Sequence, residues 1–157
     1  MGKCIKPIFF DIINYAICQA VDDCLDKKAT EFFKKVGEYH LDEALKRRLI
    51  KIDPDDSPLD TLVKIAAYLE SVGYMDKILI NRVGENEALV EMHGVSVTRS
   101  SVKILKENKQ PSHYMTNIMI AALKKLGIQA KLKEVEFDEK NCHFKEYWKI
   151  LGASSLY

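Results

Sequence analysis

The sequence predicts an α+β fold in which an antiparallel sheet of about four strands packs against helices. Three observations lead there. Helical periodicity dominates the N-terminal part, and two strand-like runs joined by a turn follow between Tyr74 and Met92. The chain then closes with a helix and two alternating segments between Ser112 and Trp148.

The first helix runs from Pro7 to Leu25. Phe10, Ile13, Ile17, Ala20, Val21 and Cys24 fall at spacings of three and four, and Phe9, Ile12 and Ala16 repeat beside them. A helix apolar on more than one stripe is packed from two sides, either inside the domain or against a second copy of the chain. A second helix is predicted from Thr30 to Leu49 on Phe32, Phe33, Val36, Leu41 and Leu45, with Gly37 allowing a close neighbour. Pro54-Asp55-Asp56 breaks the chain. Ser57-Pro58-Leu59-Asp60 then starts a third helix, because serine caps, proline fits the first turn and aspartate suits the positive end. Leu59, Leu62, Val63, Ala66, Leu69 and Val72 form its stripe, and Gly73 ends it.

Tyr74 to Ile80 and Glu87 to Met92 read as strands of a hairpin turned by Arg82 to Asn86, with Ile78 and Ile80 facing Val90 and Met92. Gly94 ends the second strand. Ser96 to Pro111 is polar and lysine-rich, a loop or short surface helix. Ser112 is placed to cap the helix that carries His113 to Leu123, Lys124 and Lys125 suit its negative end, and Gly127 stops it. On the next strand Ala130, Leu132, Glu134 and Glu136 share one face and Lys131, Lys133, Val135 and Phe137 the other. Both faces change character midway. Either a bulge near Lys133 and Glu134 moves Val135 and Phe137 to the core side, or Glu134 points inward because a carboxylate is needed there. Asp138 to Asn141 turns the chain into a last strand with Cys142, Phe144 and Trp148 on one side, interrupted only by Glu146.

At 157 residues, with 47% hydrophobic and 30% charged residues, the chain suits one globular domain: a helical part over 1–50 and an α+β core over 57–157. A net charge of +1 without a dense basic run gives no footprint for nucleic acid. Lys46-Arg47-Arg48 sits where a helix C-terminus favours cations. No membrane span is expected, and the apolar run from Ile8 to Ala20 is broken by Asp11, Asn14 and Gln19, so it is no secretory signal. Met1-Gly2-Lys3-Cys4 begins like an acylation site, but Lys6 stands where that pattern needs Ser or Thr. The four cysteines Cys4, Cys18, Cys24 and Cys142 form no Cys-x-x-Cys pair, which suits a reducing cytoplasm.

There is no dinucleotide fingerprint, phosphate loop, nucleophile elbow or His-Glu-x-x-His motif, hence no nucleotide cofactor motif and no assigned catalytic residue. Two constellations remain. His113, Glu134 and Cys142 offer imidazole, carboxylate and thiolate from a helix and two strands, a donor set zinc accepts. The plainer reading is a capping histidine, a surface glutamate and a small buried cysteine. His143, next to Cys142, faces the other way, and His93 ends a strand. The second constellation is apolar: Met115, Ile118 and Met119, with Tyr114 and Phe144, either line a pocket for a small hydrophobic ligand or simply fill the core.

The Phe32-Phe33-Lys34-Lys35-Val36-Gly37 helix, the hairpin and the closing segment with Cys142-His143-Phe144 resemble the 4-vinyl-reductase-like domain. That is a small-molecule-binding module related in fold to the small subunits of TRAPP vesicle-tethering complexes. Its zinc-binding members carry a cysteine early in the helix, glutamate and cysteine on the next strand, and a last cysteine in Cys-x-Phe. Glu134 and Cys142 match, His113 stands near the first cysteine, and Phe137 occupies the place of the strand cysteine. The resemblance implies a homodimer with N-terminal helices in the interface and an apolar pocket near the last helix and sheet. The function it implies is a non-enzymatic sensor or carrier for an apolar or aromatic molecule, with a structural zinc and a protein partner. Reduction of a vinyl group with an external cofactor, and a TRAPP-like protein-interaction scaffold, are the alternatives.

Overall fold

The computed structural model describes residues 5–153, so the Met1-Gly2-Lys3-Cys4 stretch lies outside the described residues. Two helices, α1 (Pro7–Leu25) and α2 (Ala29–Lys46), are joined by a 3-10 turn over Asp26–Lys28. After α3 (Pro58–Ser71) come the hairpin strands β1 (Lys77–Gly84) and β2 (Glu87–His93), then α4 (Thr98–Lys106) and α5 (Tyr114–Lys125). The last strands are β3 (Ile128–Asp138) and β4 (His143–Ala153). The sheet has the order β1-β2-β4-β3, every neighbouring pair antiparallel, so the fold is α+β as the sequence predicts.

Local chemistry explains most boundaries. The Ser57 hydroxyl accepts the Asp60 N–H at 3.1 Å while the Asp60 carboxylate accepts the Ser57 N–H at 3.3 Å, a reciprocal cap that satisfies two donors otherwise orphaned at the start of α3. The hairpin turns more tightly than the sequence implies. β1 continues to Gly84, Glu85 and Asn86 make the turn, and the register slips between Arg82 and Gly84. Ile78 pairs with Met92 and Ile80 with Val90, as expected. On β3 the register slips between Leu132 and Glu134, which is the bulge, the first of the two readings that the change of face leaves open. It brings Val135 opposite Glu146 and Phe137 opposite Phe144.

Two expectations are corrected. Ser96 to Pro111 contains a helix, α4, that is not merely superficial: Val102 and Ile104 are fully buried, because α4 packs against α1. Ser112 does not cap α5. Its hydroxyl donates to Asn14 Oδ1 at 2.7 Å, and the residue preceding α5 is His113 in the left-handed region with φ 45°.

One face of the sheet, carrying Ile78, Val90, Met92, Phe144, Trp148 and Ile150, is buried against the helices. The alternate residues, among them Leu79, Glu91, His93, Lys145 and Tyr147, form the outer face. Helix α5 lies against α2, α3 and β3, and α3 also packs on β1. Where α2 crosses α5, a Cβ on Gly37 would stand 2.6 Å from the Asn117 carbonyl carbon, so only glycine permits this approach.

Helix α1 is dressed in reverse over its first turns. Asp11 and Asn14 face inward, while Ile8, Phe9 and Ile12 are 51%, 54% and 60% exposed. The inner polar groups are satisfied by α4 and the segment before α5: Asp11 accepts the Ser100 N–H at 3.0 Å, and Asn14 donates to the Ser100 hydroxyl at 2.6 Å while accepting from Ser112. Farther along, Cys18 and Val21 join Ala29, Phe33 and Ile104 in a second apolar cluster. Among the described residues no helix is long and apolar enough to cross a membrane.

Candidate functional site

The alternation of β4 sends Phe144, Glu146, Trp148 and Ile150 to the helix side of the sheet, which takes one carboxyl group into the core. Glu146 is 3% exposed. The Thr116 hydroxyl on α5 donates to its Oε1 at 2.6 Å and the Trp148 indole N–H to its Oε2 at 3.0 Å. The nearest basic group is His113, whose Nδ1 lies 4.0 Å from Oε1, and among the described residues no lysine or arginine pairs with it. Burial pushes Glu146 up to about 7, the two hydrogen bonds opposing part of that rise. Burial also lowers the His113 imidazole and raises the Tyr74 phenol, and it pushes Tyr114 up to about 12.

Two openings meet here. A cavity of about 50 Å³ is bordered by His113, Met115, Thr116, Phe144 and Glu146, room for a few waters. A cleft of about 460 Å³ opens among α1, α2, α3 and α5, with Phe10, Val36, Leu69, Val72 and Ile118 as apolar walls and Lys6, His40 and Tyr68 as polar ones. Tyr74 and Tyr114 border both, so these two rings form the partition between the cleft and the buried carboxyl group.

Of the apolar residues singled out in the sequence, Tyr114 and Ile118 line the cleft, Met115 and Phe144 line the small cavity, and Met119 is wholly buried in the core. The space beside Met115 and Phe144 is the smaller of the two openings, about 50 Å³ against about 460 Å³ for the cleft.

The zinc set His113, Glu134 and Cys142 is not brought together, which corrects that grouping. His113 is on the helix side of the sheet. The bulge leaves Glu134 exposed opposite Tyr147 on the outer face, and Cys142 sits in the β3–β4 turn with φ 50°. The sheet therefore stands between the imidazole and the carboxylate. Among the described residues, the group of three that does gather its donor atoms, all within 4.8 Å of one another, is Glu91, His93 and His143.

No protein-family model matches the sequence, and no curated protein matches it. Solved structures do match in fold. A trafficking protein particle complex subunit 3 from Naegleria fowleri, covalently bound to palmitic acid, superposes with a TM-score of 0.63 at 13% identity, over 94% of this chain and 98% of that one. An I5F mutant of the T. Tengcongensis H-NOX gives a TM-score of 0.55 at 11% identity, over 97% of this chain and 78% of that one. An H-NOX protein used to probe heme distortion gives 0.55 at 12%, over 99% and 77%. At such identities the likeness is one of fold: this chain has the α+β arrangement shared by the TRAPP subunit and the H-NOX domains.

Proposed function

We propose that this chain is a single, non-enzymatic ligand-binding domain of the 4-vinyl-reductase-like kind, a sensor or carrier that takes a small apolar or aromatic molecule and acts through a protein partner in the cytoplasm. The observation that carries the reading is the 460 Å³ cleft with apolar walls and a few convergent polar groups, next to a buried carboxyl group shifted to about 7. The palmitate carried by the TRAPP neighbour supports the same class of ligand. The ligand's apolar body lies against Val36, Leu69 and Ile118, and its polar end faces the Tyr74 and Tyr114 partition. Heme, the group studied in the H-NOX neighbour, does not fit these residues. His113 abuts a space of only 50 Å³, and the His40 ring nitrogen at the larger cleft is engaged 2.8 Å from the Tyr68 hydroxyl.

The test is native mass spectrometry of the full chain as purified from cells, followed by titration with anilinonaphthalene sulfonate. Retained organic mass, or saturable fluorescence that Val36→Trp abolishes by filling the cleft, is the expected result. Probe binding unchanged by Val36→Trp would refute the site.

A dimer through α1 is part of the proposal, and the exposed Ile8, Phe9 and Ile12 support it. These residues also favour the scaffold reading, in which the same face meets a different protein. Ile12→Asp should turn a dimer into a folded monomer in sedimentation velocity. A wild-type chain that sediments as a monomer favours the scaffold.

A further inference from the structure

The outer face of the sheet holds a second arrangement that the cleft does not use. Glu91 and His93 are two residues apart on β2 and so project from the same face, and His143 on β4 is the direct cross-strand partner of His93. The β2–β4 register runs unbroken from Glu87 to His93, so the three side chains stand on a regular ladder between two inner strands. The imidazole rings lie stacked with centroids 4.1 Å apart and planes 13° from parallel. His143 Nε2 is screened from solvent, yet it makes no hydrogen bond among the described residues. A buried ring nitrogen without a partner is rare in a folded protein, and a metal ion supplies what it lacks.

We propose that Glu91, His93 and His143 form a binding site for a divalent transition metal, with zinc the best match. Two imidazoles and a carboxylate are a borderline nitrogen and oxygen donor set, which suits zinc and fails the all-oxygen requirement of magnesium or calcium. Tetrahedral zinc with bonds of about 2.0–2.1 Å holds its donors about 3.3 Å apart. The donor atoms here lie within 4.8 Å, a gap that side-chain torsions close without moving the strands. The fourth position is left to water. The groups around the site define its limits. The Lys145 ammonium stands 3.7 Å from Glu91 Oε1 and competes with a cation for that carboxylate. Asp138 lies opposite His143 on β3 and its two oxygens accept from Asn141, through the backbone N–H at 3.2 Å and the side-chain amide at 2.6 Å; it is not among the three residues whose donor atoms gather. All three ligands are half-buried on the outer face, so an ion enters without opening the core.

The experiment is calorimetric titration of the chelator-treated full chain with zinc chloride, paralleled by cobalt(II) absorption to report coordination. One ion per chain is expected, with cobalt bands of tetrahedral intensity and no response to magnesium. His93→Gln and His143→Gln should each weaken binding by about tenfold or more. Lys145→Gln, which frees Glu91, should tighten it several-fold, an effect that a merely structural role for the three residues would not produce. His113→Gln and Cys142→Ala should leave the affinity unchanged. Absence of saturable zinc binding, or binding that survives in folded His93→Gln and His143→Gln proteins, overturns the proposal.

Discussion

Replacing Glu146 by glutamine tests the central electrostatic feature of the fold. In the folded protein the carboxyl group titrates near 7 rather than at 4.5, a gap worth about 3 kcal/mol at about 1.4 kcal/mol per unit. A raised acid binds its proton more tightly when folded. Its contribution is therefore complete below pH 4.5 and is lost as pH climbs through 7. Above that window the protein carries a buried carboxylate with only Thr116 and Trp148 as donors. Glutamine reproduces the protonated state, its carbonyl accepting from the Trp148 indole and its amide donating to the Thr116 hydroxyl. Glu146→Gln should exceed the wild type by only about 1 kcal/mol at pH 5 and by about 3 kcal/mol at pH 8. His113, whose pKa burial lowers, adds an opposite trend at low pH, and because its Nδ1 lies 4.0 Å from Glu146 Oε1 the same comparison is repeated in a His113→Gln background to separate the two. The assay is urea unfolding followed by Trp148 fluorescence at half-unit steps from pH 5 to 8. Parallel stability profiles for the two proteins, or a glutamine variant less stable at pH 8, would refute the reasoning.

Three further outcomes follow from packing and hydrogen bonding. Gly37→Ala places a methyl group 2.6 Å from the Asn117 backbone and should lower stability by about 2 kcal/mol, read as a shift in the urea midpoint at constant slope. Asn14→Ala leaves the Ser100 and Ser112 hydroxyls short of their partner and should lower stability by about 1–3 kcal/mol. Hydrogen exchange should show the loss of protection concentrated in the first turns of α1 and the start of α4. Ser57→Ala removes one half of the reciprocal cap of α3 and should lower stability by about 1 kcal/mol in a thermal melt, and an unchanged melt would mean the cap is redundant.

Local patterns carried the fold a long way. The Ser57-Pro58 start of α3, the extent of α1 and the pairing of Ile78 with Met92 each follow from neighbouring residues, and the structure has them, while on β3 the sequence leaves a bulge and an inward Glu134 as alternatives and the structure has the bulge. What stayed hidden was non-local. A helix with apolar stripes normally buries them, and nothing near Asp11 and Asn14 announces that Ser100 and Ser112, far along the chain, complete their hydrogen bonds. For the site, the sequence marks Glu146 as the one polar residue on the inner side of β4 but does not disclose that Thr116 and Trp148 hold it there. The His93–His143 pair depends on β4 inserting between β2 and β3, a strand order that no short window contains. His113, Glu134 and Cys142 looked convergent because sequence spacing does not say which side of a sheet a residue occupies.

The register slips have a consequence for self-association. β1 and β3 are the edges of the sheet, and an edge strand with a free row of N–H and C=O groups invites a strand from another molecule to extend it. β1 is interrupted once, between Arg82 and Gly84, and β3 twice, between Ile128 and Ala130 and between Leu132 and Glu134. On β1, the Arg82 guanidinium donates to the Gly84 and Glu85 carbonyls just beyond the slip. On β3, Lys131 and Lys133 put cations on the edge. A straight strand cannot stay in register past these interruptions. The edges are thereby closed to templated aggregation, and association at high concentration is left to the apolar side of α1.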